Sequence, residues 1–261
     1  MKLTVLGGSA AGPNPGQGCS GYLVESGTTH VVVDLGPGTF PDLRRHVDYR
    51  AIDGVVLSHG HLDHMLEVLT LRYALVYNPV PAARQLPLWL PPVGAALLER
   101  LAEAITNDSK SREFLSVFEV HQYEPDRLLI IGELEFRFFP TVHYVPCWAA
   151  RISNGADGDL FYTADTGPAA NLAAAASGSH VVVAEGTNSR GSQEPFASHG
   201  HMTPAEAGTL AGQAGAKALV LSHLWAEDDP FAAVKDAAMM FGGPVELATP
   251  GMSLSWQGID V

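Results

Sequence analysis

Short runs of β-branched, leucine and aromatic residues recur along the chain at 3–6, 21–24, 30–33, 54–57, 134–139, 160–163, 180–184 and 218–221, bounded by glycine, proline or asparagine. Such runs predict strands. Between them, apolar positions at helical spacing predict a helix over residues 93–105, and two more over Pro204–Ala214 and Pro230–Phe241. The first half is strand-rich and the remainder mixes strands with helices, which suits two sheets packed together with helices outside. No low-complexity linker divides the chain, so residues 1–261 read as one domain.

Composition narrows this picture. A hydrophobic content of 46% over 261 residues is ample for a sizeable core. The formal charge of −13 repels phosphate backbones at long range and argues against a surface that grips long nucleic acid. It leaves a small anionic substrate open, because bound cations dominate the local field of a metal site. Cys19 and Cys147 allow at most one disulfide, and reduced thiols are the simpler reading. The amino-terminal apolar run is too short for a signal core, and no stretch of about eighteen apolar residues occurs, so a cytoplasmic protein with no membrane partner is expected.

Two apolar strands end in the same dipeptide: residues 54–59 read GVVLSH and residues 218–223 read ALVLSH. Coincidence and an internal repeat both fit, and a repeat would bring two strand ends to one shared edge. The glycine-rich stretch 7–18 lacks the Gly-Lys-Ser/Thr ending of a phosphate loop and reads as a turn between strands. The densest signal is SHGHLDH at 58–64, where three of the eleven histidines follow a buried strand. A loop leaving that strand can point His59 and His61 to one side while Asp63 and His64 turn back as a helix begins at Met65. Imidazole and carboxylate donors of this kind suit Zn²⁺.

His59-x-His61-x-Asp63-His64 resembles the signature of the metallo-β-lactamase superfamily. The later motifs of that family are matched in order: His143 in PTVHYVP, Asp165 in FYTADTG and His223 in ALVLSH, each after a predicted strand. The resemblance implies a four-layer αββα sandwich of two mixed sheets with outer helices. It also implies two divalent ions, zinc by preference with Mn²⁺ or Fe²⁺ compatible. His59, His61 and His143 would hold the first ion and Asp63, His64 and His223 the second, with Asp165 shared. Asp63 then counts among the catalytic residues as well as the ligands. Two such ions acidify a shared water and stabilise charge at the attacked centre. Asp34, in VVVDLG, fits either an acceptor that orients a ligating histidine or a cap on the strand-end turn. Ser58 and Ser222 are expected to be strand-end hydrogen bonders.

The superfamily covers many chemistries, so the substrate must be argued from other residues. Thr203, Pro204 and Glu206 form a helix start, with His201 just ahead of it. His201 and Glu185 look like the pair that protonates the leaving oxygen in the ribonuclease Z branch, and a phosphodiester with a poor leaving group needs such an acid. The short interval between His143 and Asp165 has no room for the branch's transfer-RNA arm. With the acidic charge, this argues against transfer RNA as a partner and for an armless phosphodiesterase acting on a small nucleotide-type or cyclic diester. A lactonase or thioesterase on the same metals, and an iron-dependent oxygenase of the same fold, are the alternatives. A homodimer is compatible with the sequence. Residues 71–120 are expected to wall the site; Trp89, Tyr73 and Tyr77 fit core packing or base stacking. Arg151 and Arg190 fit a phosphate contact or a plain surface position, and His199 reads as a surface residue.

Overall fold

The valine runs are strands buried on both faces. In a strand, alternate side chains point to opposite sides. Val31 and Val33 therefore enter one apolar cluster and Val32 another, and Val181 and Val183 part from Val182 in the same way. The computed structural model describes residues 1–106, 111–188, 191 and 194–256.

The first sheet contains β1 (Lys2–Gly7), β2 (Gly21–Ser26), β3 (Thr29–Leu35), β4 (Gly54–Val56), β5 (Leu86–Leu90), β6 (Phe118–Gln122) and β14 (Ser253–Ser255) in the order β14-β1-β2-β3-β4-β5-β6. The second contains β7 (Leu129–Ile131), β8 (Leu134–Pro140), β9 (Trp148–Ser153), β10 (Leu160–Tyr162), β11 (Val181–Glu185), β12 (Ala218–Ser222) and β13 (Val245–Leu247), running β7-β8-β9-β10-β11-β12-β13. Each sheet is antiparallel from its first-named edge through its fourth strand and parallel beyond it.

One core fills the space between the sheets, around Leu3, Val24, Phe136, Ile152 and Val220. A second lies between the outer face of the first sheet and α1 (Thr39–His46), α3 (Glu67–Tyr77) and α4 (Gly94–Thr106). A third lies between the second sheet and α6 (Pro204–Ala214) and α7 (Pro230–Phe241). This is the four-layer αββα sandwich. Helix α6 starts with the expected capping box between Thr203 and Glu206, and it approaches α7 so closely that a Cβ on Gly208 would lie 2.1 Å from the Ala237 carbonyl oxygen. Among the described residues, no helix is long and apolar enough to cross a membrane.

Several expectations change. Residues 71–120 are built into the fold and are not a separate insertion: they hold most of α3, all of α4, α5 (Ser111–Leu115) and β5, and the start of β6, and 91–97 among them line a recess beside Gly60. Trp89 sits on β5 against the central core, its ring stacked 4.2 Å from His121, which makes it a packing residue. Tyr73 and Tyr77 stack on each other beneath the Arg72 guanidinium. The helix after the histidine motif begins three residues earlier than expected, as α2 (Leu62–Met65), so Asp63 and His64 belong to its first turn. The GVVLSH and ALVLSH strands, β4 and β12, end at one rim, but they occupy non-equivalent positions in their sheets. Their likeness reflects a common task, a buried parallel strand delivering a histidine.

Candidate metal centre

The parallel strands of both sheets end at one rim, and the donors hang from those ends. Asp34 closes β3; His59 and His61 follow β4; Asp63 and His64 ride on α2; Asp165 follows β10; His223 follows β12. His143 follows β8, the one donor delivered from an antiparallel strand. Asp34, Ala164 and His223 have φ of 57°, 51° and 59°, the left-handed region that non-glycine residues rarely enter. Strain of this kind gathers where a fold must hold a group in a set orientation. Gly36 is required by the same crowding, since a Cβ there would lie 1.8 Å from the carbonyl oxygen of Asp63.

The seven predicted donors converge. His59, His61, His143 and Asp165 form one set and Asp63, His64, Asp165 and His223 another, each with its ligand atoms within 4.8 Å of one another. Asp165 faces both. Its Oδ2 lies 3.8 Å from His59 Nε2 and 3.7 Å from His143 Nε2, and its Oδ1 lies 3.3 Å from His64 Nε2 and 3.6 Å from His223 Nε2. Donors about 2.0–2.2 Å from one tetrahedral ion stand roughly 3.3–3.6 Å apart, which matches this spacing. Two further observations fit cations. The Nε2 atoms of His59 and His64 are buried without a hydrogen-bond partner. Nε2 of His143 meets Nδ1 of His61 at 3.0 Å, two ring nitrogens facing the same space.

The opposite ring nitrogens are committed elsewhere, which fixes each imidazole. His59 Nδ1 bonds Ser58 Oγ at 3.0 Å, His64 Nδ1 bonds Asp34 Oδ2 at 2.8 Å, His143 Nδ1 bonds the Gly200 carbonyl at 2.9 Å, and His223 Nδ1 bonds Thr187 Oγ1 at 2.6 Å. Asp34 orients its histidine as the first of its two readings required. It also accepts from the Ser58 amide and hydroxyl and from the Tyr162 hydroxyl. Ser222 bonds Tyr22 at 2.6 Å, the strand-end role expected of it.

Burial dominates the electrostatics. It holds His59, His61 and His143 below the usual imidazole range, in the neutral form that can bind a cation. Burial would raise the carboxyls of Asp63 and Asp165, but the surrounding histidines outweigh it and keep both well below the usual range. His64 is opposed by burial yet raised by Asp165 and Asp34.

Beside the second set, His201 Nδ1 bonds Glu185 Oε1 at 2.9 Å. Burial works against the charge of His201, but the Glu185 carboxylate more than offsets it and raises the imidazole to about 9. Glu185 also accepts from the Thr166 amide, and through its other oxygen from the Thr187 hydroxyl, which in turn meets His223. Thr187 is thus a link between the two histidines that the sequence reading missed; its only signal is its place two residues beyond Glu185. Glu185, His201 and His223 lie close enough to form a third donor group. Glu185 and His201 are bonded to each other, whereas His223 gives only Nδ1 to Thr187 and turns Nε2 to Asp63 and Asp165 in the second set.

One expectation is corrected. His199 is buried, at 6% exposure, and not a surface residue. Arg151 is not free for a phosphate: it pairs with Asp159 at 2.5 Å and donates to the carbonyls of Ala175 and Ser177. Arg190 lies outside the described residues.

Residues 29–224 match the β-lactamase superfamily domain. The chain is 31% identical over 268 residues to the probable metallo-hydrolase YhfI of Bacillus subtilis, covering 99% of this chain and 100% of that one. The crystal structure of YhfI has a TM-score of 0.84 at 27% identity, over 97% of this chain and 98% of the other. Ribonuclease Z of Myxococcus xanthus is 25% identical, over 97% of each chain. A diphosphatase of the PhnP family is similar in fold, with a TM-score of 0.72 at 18% identity over 99% of this chain and 98% of that one.

Proposed function

The chain belongs to the metallo-β-lactamase superfamily, in its ribonuclease Z-like branch, and from that premise we propose that it is a binuclear, zinc-dependent phosphodiesterase acting on a small nucleotide-type or cyclic diester. The observation that carries the binuclear reading is Asp165, with one carboxylate oxygen turned to each donor set. His59, His61 and His143 would hold one ion and Asp63, His64 and His223 the other. When bound there, two such ions would supply positive charge at the attacked phosphorus and would lower the pKa of water toward neutrality.

The chain's own residues do the rest. Ser58, Asp34, the Gly200 carbonyl and Thr187 hold four imidazoles in the tautomer that leaves Nε2 facing the ions. His201, with Nδ1 committed to Glu185, keeps Nε2–H for the departing oxygen. An alkoxide is a poor leaving group, so a proton donor there favours a phosphodiester over a lactam or thioester. The span between His143 and Asp165 is taken up by β9, β10 and the tight turn that joins them, which leaves no arm for transfer RNA. The acidic charge of −13 supports a small substrate as well.

The test is turnover of bis-p-nitrophenyl phosphate and of a cyclic nucleotide by zinc-loaded protein. His201→Ala should retain two ions per chain while losing roughly 10²- to 10⁴-fold in cyclic-nucleotide turnover. Hydrolysis of lactones or thioesters alone, or one iron per chain by elemental analysis, would overturn the reading.

A further inference from the structure

Next to the metal centre lies a pocket of a different character. Its walls are Gly60, Pro91, Pro92, Val93, Gly94, Leu97, Val145 and Pro146, and its volume is about 170 Å³. It adjoins the donors through the chain itself: Gly60 stands between His59 and His61, and Val145 and Pro146 follow two and three residues after His143. His201 stands elsewhere, with its ring against those of His143 and His223. The centre therefore has a proton donor on one flank and an apolar recess on another.

Two features suggest that the recess is built for a ligand. The first is Val93. The Gly94 amide donates to the Pro91 carbonyl at 2.8 Å, closing a four-residue turn whose third residue is Val93 at φ 66°. Glycine or asparagine suits that position, and a β-branched side chain there is strained. The Val93 side chain is also 66% exposed, so it contributes little to the core that could offset the strain. Among the described residues, five non-glycine positions have positive φ; three are the strand-end residues of the metal centre, and Val93 is a fourth. The second feature is Gly60. A Cβ at that position would lie 2.5 Å from Leu97 Cδ2, so glycine keeps the Leu97 side chain seated in the pocket wall.

We propose that this recess binds the planar ring of the organic group that stays on the phosphate, the base of a retained nucleoside, and that Val93 and Leu97 set this preference. The inference rests on the phosphodiesterase reading. The volume falls below the roughly 300–1,000 Å³ of sites that enclose a whole drug-sized ligand, and it is on the scale of one ring system. Every lining side chain is aliphatic or absent, so nothing in the walls reads the hydrogen-bonding edge of a base except backbone. Recognition is then by shape and apolar contact, and it discriminates a ring from a small alkyl group more strongly than one base from another.

Two diesters with the same p-nitrophenolate leaving group isolate the retained group: thymidine 5′-(p-nitrophenyl) phosphate and methyl p-nitrophenyl phosphate. The parent should favour the thymidine ester in kcat/KM. Leu97→Ser should reduce that preference roughly tenfold, mostly through KM, as expected for lost apolar contact in a pocket. Val93→Gly should reduce it in the same direction while the melting temperature stays level or rises, because the strained turn is relaxed. An unchanged preference in both variants overturns the proposal. Should the parent hydrolyse neither ester, the phosphodiesterase reading fails by itself. Calorimetric titration of the metal-loaded proteins with thymidine 5′-monophosphate then decides the pocket: weaker binding by the variants supports it, and equal or absent binding overturns it.

Discussion

The two halves of the metal centre are assembled by different means. On the first-sheet side, His59, His61, Asp63 and His64 lie within six residues, and one strand end plus the first turn of α2 places all four. On the second-sheet side, His143, Asp165 and His223 come from three separate strand ends, with Glu185 from a fourth, and nothing local relates them. The first half is positioned by short-range geometry and one buried acceptor, Asp34. The second depends on the sheet register, and its links are contacts far apart in sequence: Thr187 to His223, His201 to Glu185, and the Gly200 carbonyl to His143. Local donors can be recognised and kept as a unit, while dispersed ones are only as well placed as the fold.

The largest disturbance should come from the residue common to both halves. Asp165→Asn replaces the carboxylate that faces both sets, and metal content by elemental analysis should fall from about two ions per chain to below one, with hydrolysis at background. Retention of both ions would show that the two halves do not share it. Next, Thr187→Val removes the oxygen that fixes His223 and leaves the first-sheet donors untouched. Chelator competition should show a roughly 10- to 100-fold weaker second ion, with the first little changed, as is usual when the partner of a ligating histidine is lost. Equal weakening of both ions would erase the contrast between the halves.

The smallest effect is one of pH. His201 is raised to about 9, so its proton is held below that pH and lost as pH rises through it. An activity profile limited by this proton falls on the alkaline side. Glu185→Gln removes the charge that opposes burial, so the falling limb should move to lower pH, toward the ordinary histidine range. A limb that does not move assigns the proton to another group.

The same contrast explains what could be read from the sequence. The contiguous motif at 58–64 is visible at once because its spacing alone is informative. His143, Asp165 and His223 are legible only through their order and their places after apolar strands. Thr187 offers no pattern, because its role exists only once β11 and β12 are in register. Half of the first sheet's parallel part was hidden as well. Strand β5, LPLWL, carries a proline, which demotes a strand in any reading by pattern. Strand β6, FEVHQ, is an edge strand in which only Phe118 is buried and Val120 is exposed, so no alternation of apolar and polar positions shows. Strands β13 and β14 are three residues each, and unlike the equally short β4 and β10 they have no fully buried position and so no apolar run. The helix after the histidine motif begins before the motif ends, so its first turn is occupied by donors and lacks an apolar face.

The left-handed backbone at Asp34 and His223 limits how these positions can change. Aspartate, asparagine and histidine are the residue types, after glycine, that most readily accept this conformation. At both sites the side chain that the chemistry uses is therefore also one that the backbone tolerates, and the two demands reinforce each other. Glycine or asparagine there would keep the chain path and give up the function; valine or isoleucine would give up both. Drift at these two positions should thus run toward folded but inert descendants, and seldom toward a different set of working donors.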